Sequence, residues 1–205
     1  MWQDVPVLEV AHFRPESSNH RPRTEARLAY DARGLHGIFR VEDQYVRCVR
    51  TGYGAEVWKD SCVEFFVQPP GGRGYFNLEM NCGGAFLICH ITNPERTSAG
   101  LKEFTKVPAE MVAEIKVESS LPAIVDPEVT TRTVWTINFF VPFGLFEKFI
   151  GTVGPVAGQT WRGNFYKCSE DNSHPHWAAW SPVDELNFHL PRCFGELNFE
   201  SEKAV

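Results

Sequence analysis

Trp58 and Glu64 stand six positions apart in the run Trp58-Lys59-Asp60-Ser61-Cys62-Val63-Glu64-Phe65-Phe66-Val67. An indole offers a flat apolar face, and a carboxylate accepts hydrogen bonds from hydroxyls. That pair suits a molecule with one face of C–H groups and a rim of hydroxyls, as a pyranose has. If Cys62–Val67 is a strand, alternation places Val63, Phe65 and Val67 on one face and Cys62, Glu64 and Phe66 on the other. The first face belongs to a core. Trp58, in the loop just ahead, would overhang the second and make a shallow site beside it. A blander arrangement uses the same residues: Trp58 packed on the core, and Glu64 paired with an Arg or Lys.

Two further segments could complete such a site. Tyr75-Phe76-Asn77-Leu78-Glu79-Met80-Asn81 divides into an apolar face (Phe76, Leu78, Met80) and a polar one (Tyr75, Asn77, Glu79, Asn81). The run from Trp161 to Cys168 puts Arg162, Asn164 and Tyr166 on one strand face. Beyond it, His174-Pro175-His176-Trp177-Ala178-Ala179-Trp180-Ser181-Pro182 reads as a loop that offers Trp180 as a second platform. Two rings across a slot grip a sugar more firmly than one. Glu64 and Glu79 on adjacent strands could also supply the two acids of a glycosidase, although acids on a sheet face more often bind or solvate. Cys168, His174, His176 and His189 are metal-ligand types, but C-x5-H-x-H fits no common zinc pattern, and Pro175 restricts the backbone between the histidines. No metal is expected there. With no G-x-S-x-G, H-E-x-x-H or phosphate-binding loop, no enzyme is expected either.

Residues from such distant segments need a scaffold of short strands to meet. Strand-like runs occur at Glu25–Tyr30, Gly37–Val41, Cys62–Val67, Tyr75–Asn81, Ala85–Ile91, Val112–Val117, Arg132–Val141, Thr160–Tyr166 and Phe194–Phe199. Asp31–Gly34 and Pro69–Gly72 carry turn residues, Asn93–Pro108 reads as a surface excursion, and Pro142–Phe149 suits one short helix with Pro in its first turn. The pattern predicts an all-β fold: a two-sheet antiparallel β-sandwich, jelly-roll or immunoglobulin-like, with residues 1–205 forming a single domain. An apolar share of 43% is enough for its core, and the 13% of aromatics could serve core or sugar platform alike. The net charge of −6, with Lys and Arg dispersed, excludes nucleic acid as a partner. No basic amphipathic helix and no apolar run near the ~20 residues of a spanning helix points to a membrane. The first residues lack a basic stretch followed by an apolar one, so the expected location is cytoplasmic, or secreted if a leader has been removed. Six cysteines without a CxxC pair read as reduced thiols.

Taken together, W-K-D-S-C-V-E-F-F, Y-F-N-L-E-M-N, W-R-G-N-F-Y-K-C with H-P-H-W-A-A-W-S-P, and F-H-L-P-R-C-F-G-E-L resemble the family-nine-like carbohydrate-binding modules, in order from about Trp58 to Phe199. The likeness is to a divergent branch whose members often lack secretion signals. It implies a non-catalytic module in which two tryptophans sandwich a terminal sugar while acidic, amide and basic groups bind its hydroxyls. On this resemblance Trp58 and Glu64 match the first tryptophan and its acid, Trp180 the second tryptophan with Trp177 as the alternative, and Asn81 an amide or basic position on the adjoining strand. The expected ligand set is Trp58, Glu64, Asn81, Arg162, Asn164, Tyr166, Trp177 and Trp180, and the expected partner is a mono-, di- or polysaccharide. Some members carry structural calcium; no Asp-rich loop identifies such a site here, and no cofactor is expected. Two other binding classes compete. The predicted fold resembles that of domains that hold haem between histidine or methionine ligands, yet Met80 should face the core and no His–Met pairing is evident. In a protein-interaction module, the aromatic loop would dock a partner.

Overall fold

Alternating apolar and polar residues become strands throughout the chain, whose computed structural model describes residues 2–98 and 100–201. In chain order these are β1 (Leu8–Glu9), β2 (His12–Phe13), β3 (Arg23–Tyr30), β4 (Gly34–Asp43), β5 (Val46–Cys48), β6 (Cys62–Gln68), β7 (Tyr75–Asn81), β8 (Phe86–Thr97) and β9 (Gly100–Lys106). There follow β10 (Lys116–Ser119), β11 (Val125–Val129), β12 (Thr133–Pro142), the helix α1 (Phe143–Ile150), β13 (Thr160–Ser169), β14 (His176–Ala179) and β15 (Gly195–Asn198). One sheet has the order β1-β3-β4-β12-β10, and the other β2-β14-β13-β6-β7-β8-β9, with β15 added to β13. A small ribbon joins β11 to β5. Neighbouring strands run antiparallel, as the sandwich expectation requires. Among the described residues no helix is long and apolar enough to cross a membrane.

Between the sheets, Phe39, Val41, Trp135, Ile137 and Phe139 meet Val63, Phe65, Leu78, Met80 and Phe165. Phe65 stacks on Phe165 and Phe139, with ring centroids 4.9 and 5.5 Å apart. Each such fully buried side chain stabilises the fold by about 1.5–3 kcal/mol. Helix α1 closes one end of this core through Phe146, which meets Phe76 and Trp161. Pro142 precedes the helix as its N-cap instead of entering the first turn.

The short strands β1, β2, β5 and β11 form outside the strand-like runs of the sequence, and three longer segments also differ from the sequence expectation. Val112–Ile115 forms a bend after a short 3-10 turn (Ala109–Met111), and the strand starts only at Lys116. The stretch after Asn93 is a hairpin: β8 continues to Thr97 and β9 returns along it, its charged residues exposed because this end of the sheet is uncovered. The segment His176–Ala179 pairs with β13 and is a strand, not a loop.

On the core side, β13 also buries Lys167. Its Nζ lies 3.6 Å from Asp43 Oδ2 and 2.7 Å from His176 Nε2, and it donates to the Cys168 carbonyl at 3.0 Å. Asp43 takes further contacts from Trp135 Nε1 at 3.3 Å and His20 Nε2 at 2.7 Å. Burial pushes the Asp43 carboxyl upward, but the Lys167 ammonium and the His20 hydrogen bond outweigh it and hold the group down at about 2. Removing one partner of a buried pair leaves the other uncompensated. Asp43→Ala is therefore expected to cost about 3–5 kcal/mol in a urea unfolding titration at neutral pH. A carboxyl with a depressed folded pKa stabilises above its ordinary value of 3.8 and loses that contribution as pH falls toward about 2. The wild type should show this acid-side slope, and the variant should lack Asp43's share of it.

Candidate functional site

Strands β6 and β7 are buried on both faces, so the side of their sheet turned away from the core is covered as well. Strand parity sends Cys62, Glu64 and Phe66 to this second face. The ladders then set their neighbours: Glu64 lies opposite Glu79 on β7 and Tyr166 on β13, and Cys62 lies opposite Cys168. Cys168 in turn faces Trp177 on β14, while Asn77 and Glu79 face Cys89 and Leu87 on β8. Glu64, Cys168, Trp177, Asn77, Glu79, Cys89 and Leu87 of this face line a cavity of about 660 Å³, whereas Cys62, Phe66 and Tyr166 stand outside its lining. Glu64, Cys168, Asn77 and Glu79 lie at the middle of the sheet, Leu87 and Cys89 continue toward β8, and Trp58, Trp177 and Glu170 line the cavity beside them. Arg96, Leu101 and Phe104 from the β8–β9 hairpin, with Leu186 to His189, complete the lining. Ligand cavities fall in the range of about 300–1,000 Å³. This one is deeper than the shallow surface the sequence suggested.

Trp58 sits in a 3-10 turn, Val57–Lys59, whose backbone is held from three sides. The Lys59 carbonyl accepts from the amides of Glu170 and Asp171, and the Trp58 carbonyl accepts from Cys168 Sγ at 3.6 Å. Asp60, next in the chain, accepts from the Val49 and Arg50 amides and pairs with the Arg50 guanidinium at 2.8 Å. On the other wall, burial raises the Glu170 carboxyl above its usual range, and the neighbouring Trp177 side chain pulls it back. Both tryptophans remain half-buried, with ring surface turned to the cavity.

At the floor, Asn77 Nδ2 donates to Glu79 Oε1 at 2.6 Å, and Cys168 Sγ to Glu64 Oε1 at 3.2 Å. Glu79 Oε2 is buried without a partner. Burial, reinforced by Cys168 and Glu79, pushes the Glu64 carboxyl well above the usual carboxylate range. Burial also raises Glu79 to about 7, against the pull of the Asn77 hydrogen bond and of Arg96. His189 is pushed down by burial to about 3, so it is a neutral imidazole whose Nδ1 meets Tyr75 Oη at 2.7 Å. Near neutral pH the floor thus offers both donors and acceptors at short range, framed by aromatic and aliphatic walls.

Of the residues anticipated from sequence, Trp58, Glu64 and Trp177 line this cavity. The others stand outside its lining. Asn81 is a bracket: Nδ2 donates to the Arg50 carbonyl and to Asp60 Oδ2, both at 2.8 Å, while Oδ1 accepts from the Gly83 and Ala85 amides. The segment that follows β14 lies over one half of the sheet face and takes up three more. Arg162 donates to the Phe194 carbonyl and Asn164 Nδ2 to the Ser181 carbonyl; Tyr166 donates to the Phe188 carbonyl and stacks on that ring at 4.0 Å. Trp180 packs on the core side against Phe165, at 5.9 Å between ring centroids, with Gly195 beneath it. Parity explains the difference: Trp177 and Trp180 are an odd number of residues apart, so a continuing strand turns them to opposite faces. Asn77, Glu79, Arg96 and Glu170 add to the polar lining, with Glu56, Asn187 and His189. The alternation of β7 contained the signal for the first two, which share their face with Tyr75; nothing local marks Arg96 or Glu170.

The histidines weighed as metal ligands do not converge. His174 stacks on Tyr45, His176 contacts Lys167 on the core face, and His189 contacts Tyr75. Donor atoms of Cys62, Glu64 and Cys168, by contrast, lie within 4.8 Å of one another.

Residues 1–199 match the family described as carbohydrate-binding family 9. Among solved structures, a candidate carbohydrate-binding protein from Bacteroides uniformis superposes with a TM-score of 0.84 at 31% identity, over 96% of this chain and 87% of the other. A family 9 carbohydrate-binding module from Caldicellulosiruptor kristjanssonii, in complex with glucose, gives a TM-score of 0.64 at 11% identity over 100% of this chain and 88% of the other. Its complex with cellotriose gives 0.58 at 13% identity over the same shares, and at these identities the likeness speaks for the fold. No curated protein matches the chain.

A bracket differs from a ligand contact in what its loss does. Asn81→Ala is expected to cost about 1–3 kcal/mol per buried partner left unsatisfied, read as a lower urea midpoint. Saccharides of different stereochemistry should all be affected alike, because no hydroxyl is read by this amide. A selective loss of one saccharide at unchanged stability would refute that assignment.

Proposed function

The chain belongs to carbohydrate-binding family 9, and from that membership we propose that it binds one end of a glucose-type saccharide without acting on it. The observation that carries the reading is the meeting of two half-buried indoles, Trp58 and Trp177, with Glu64, Asn77, Glu79 and Arg96 around a single cavity. Indole faces cover the C–H surface of a pyranose, and the carboxyl, amide and guanidinium groups serve its hydroxyls. Glu79 Oε2, buried without a partner, is supplied by a ligand hydroxyl. A related module of this fold is seen with glucose and with cellotriose, which supports a sugar of that class.

Catalysis fits the geometry poorly. A glycosidase sets its two acids on either side of the scissile bond, and a retaining one keeps its nucleophile ionised. Here Glu64 and Glu79 are direct cross-strand neighbours on one floor, and burial raises both. Both would therefore approach a sugar from the same side, and burial works against the anion of each. The family's character as a non-catalytic binding module agrees with this. Met80 lies fully buried between the sheets, away from the cavity, which disfavours the haem alternative.

Calorimetric titration with glucose, cellobiose and cellotriose tests the proposal. Micromolar to millimolar affinity is expected, since each stack adds only about 1 kcal/mol beyond the area it buries. Trp58→Ala and Trp177→Ala should each weaken binding about ten-fold or more, at unfolding midpoints close to the parent. Trp180→Ala should instead lower stability, by less than the roughly 3–5 kcal/mol of a fully buried aromatic, because Trp180 is only partly buried against the core. Absence of heat with every saccharide, or full binding by Trp58→Ala, would sink the reading.

A further inference from the structure

Cys62 and Cys168 are partners in the β6–β13 ladder, so their side chains leave the sheet next to each other. Glu64 follows Cys62 by two positions and shares its face. The two sulfurs and a Glu64 carboxylate oxygen lie within 4.8 Å of one another, and Cys168 Sγ is 3.2 Å from Glu64 Oε1. With Zn–S of about 2.3 Å and Zn–O of about 2.0–2.2 Å, a tetrahedral zinc holds its ligand atoms about 3.5–3.8 Å apart. Side-chain adjustments alone bridge the difference.

A second observation points the same way. All three side chains are buried, and the Glu79 oxygen that lacks a partner lies across the ladder from Glu64. Two cations are tied up elsewhere, Lys167 on the core face with Asp43 and Arg50 with Asp60 and Asp171, while Arg96 stands in the cavity lining, 3.5 Å from Asn187. Among the described residues the three donor atoms thus take no hydrogen bond from an ammonium or guanidinium group, and Arg96 is the Lys or Arg of the cavity lining. Two sulfur donors favour a thiophilic ion over calcium or magnesium.

We propose that Cys62, Glu64 and Cys168 form a three-ligand site for a thiophilic divalent cation of the zinc type, its fourth position open to the cavity. Binding is coordination without redox change: each thiol and the carboxyl, where protonated, releases its proton to solvent as the metal–ligand bond forms. A water or a ligand oxygen fills the open position. The site shares Glu64 with the saccharide reading but does not rest on it, because neither Trp58 nor Trp177 contributes a metal ligand.

Titrating the full, thiol-reduced and metal-stripped protein with Co²⁺ tests it. One equivalent should produce saturable thiolate charge-transfer absorption together with the visible bands of four-coordinate cobalt. Zn²⁺ should displace them and raise the unfolding temperature with its concentration. Cys62→Ser and Cys168→Ser should abolish the charge-transfer band, and Glu64→Gln, which keeps both thiols and the side-chain shape, should weaken cobalt at least ten-fold. Trp58→Ala should leave the cobalt spectrum unchanged while losing saccharide, which separates the two sites. No thiolate band in the wild type overturns the proposal even if the serine variants misfold. A band that survives in a folded Cys62→Ser variant, or a Cys62–Cys168 disulfide in protein isolated with its thiols trapped, overturns it as well.

Discussion

A strand residue has two directions available, and in β6, β7 and β13 both lead into the interior. One face of these strands meets the other sheet across an aromatic core; the opposite face is roofed by the Trp58 turn, the β8–β9 hairpin and the segment after β14. Every polar side chain on the roofed face must therefore find a partner or carry a desolvation cost. Asn77 and Cys168 satisfy one oxygen each of Glu79 and Glu64, whereas the second Glu79 oxygen stays bare. A fold optimised for stability alone would place apolar side chains at these positions. Two buried acids at raised pKa carry that cost, which is the physical ground for taking this face as the candidate site.

Alternation made much of this legible. The faces of β6 and β7 follow directly from Cys62–Val67 and Tyr75–Asn81, and with them the placement of Glu64, Asn77 and Glu79 beside one another. What alternation cannot reveal is which part of a face is left open. Arg162, Asn164 and Tyr166 occupy the right side of β13, but the segment carrying Phe188, Cys193 and Phe194 lies over them, a contact between residues far apart in sequence. Amides are ambiguous for a related reason: Asn81 has the same hydrogen-bonding inventory whether it reads a sugar or ties Arg50 and Asp60 to the start of β7's turn. Aromatic-rich His174–Pro182 looked like a loop because its strand is only four residues long and begins after a proline. Read as a strand, the same residues separate Trp177 from Trp180 without further information.

The core face of β13 makes the complementary point. Lys167 lies between Tyr166 and Cys168, and parity turns it away from the cavity and into the sandwich. There Asp43, His176, His20 and Trp135 surround its ammonium group and its counterion. This network joins β4 and β12 of one sheet to β13 and β14 of the other, next to the strand that carries Trp177. A charge pair in a low-dielectric interior is sensitive to distance and therefore helps fix the register of β14 against β13. One-residue slippage of β14 would exchange His176 for Trp177 and empty one wall of the cavity.

Rigidity of the walls follows from how little of them is free. The turn bearing Trp58 is tied to β13 through Lys59, Glu170 and Asp171, and its neighbour Asp60 is gripped by Arg50 and Asn81. Trp177 lies opposite Cys168 in the β13–β14 ladder, beside that same junction. Both indoles are thus oriented through one short stretch at the end of β13, not by independent loops. Ordering two such side chains on binding would otherwise cost about 0.5–1.5 kcal/mol each, comparable to the gain from stacking itself. For a ligand as small and well hydrated as the proposed sugar, that saving would be comparable to the whole stacking gain, so the backbone hydrogen bonds of Lys59 would matter to recognition as much as the rings.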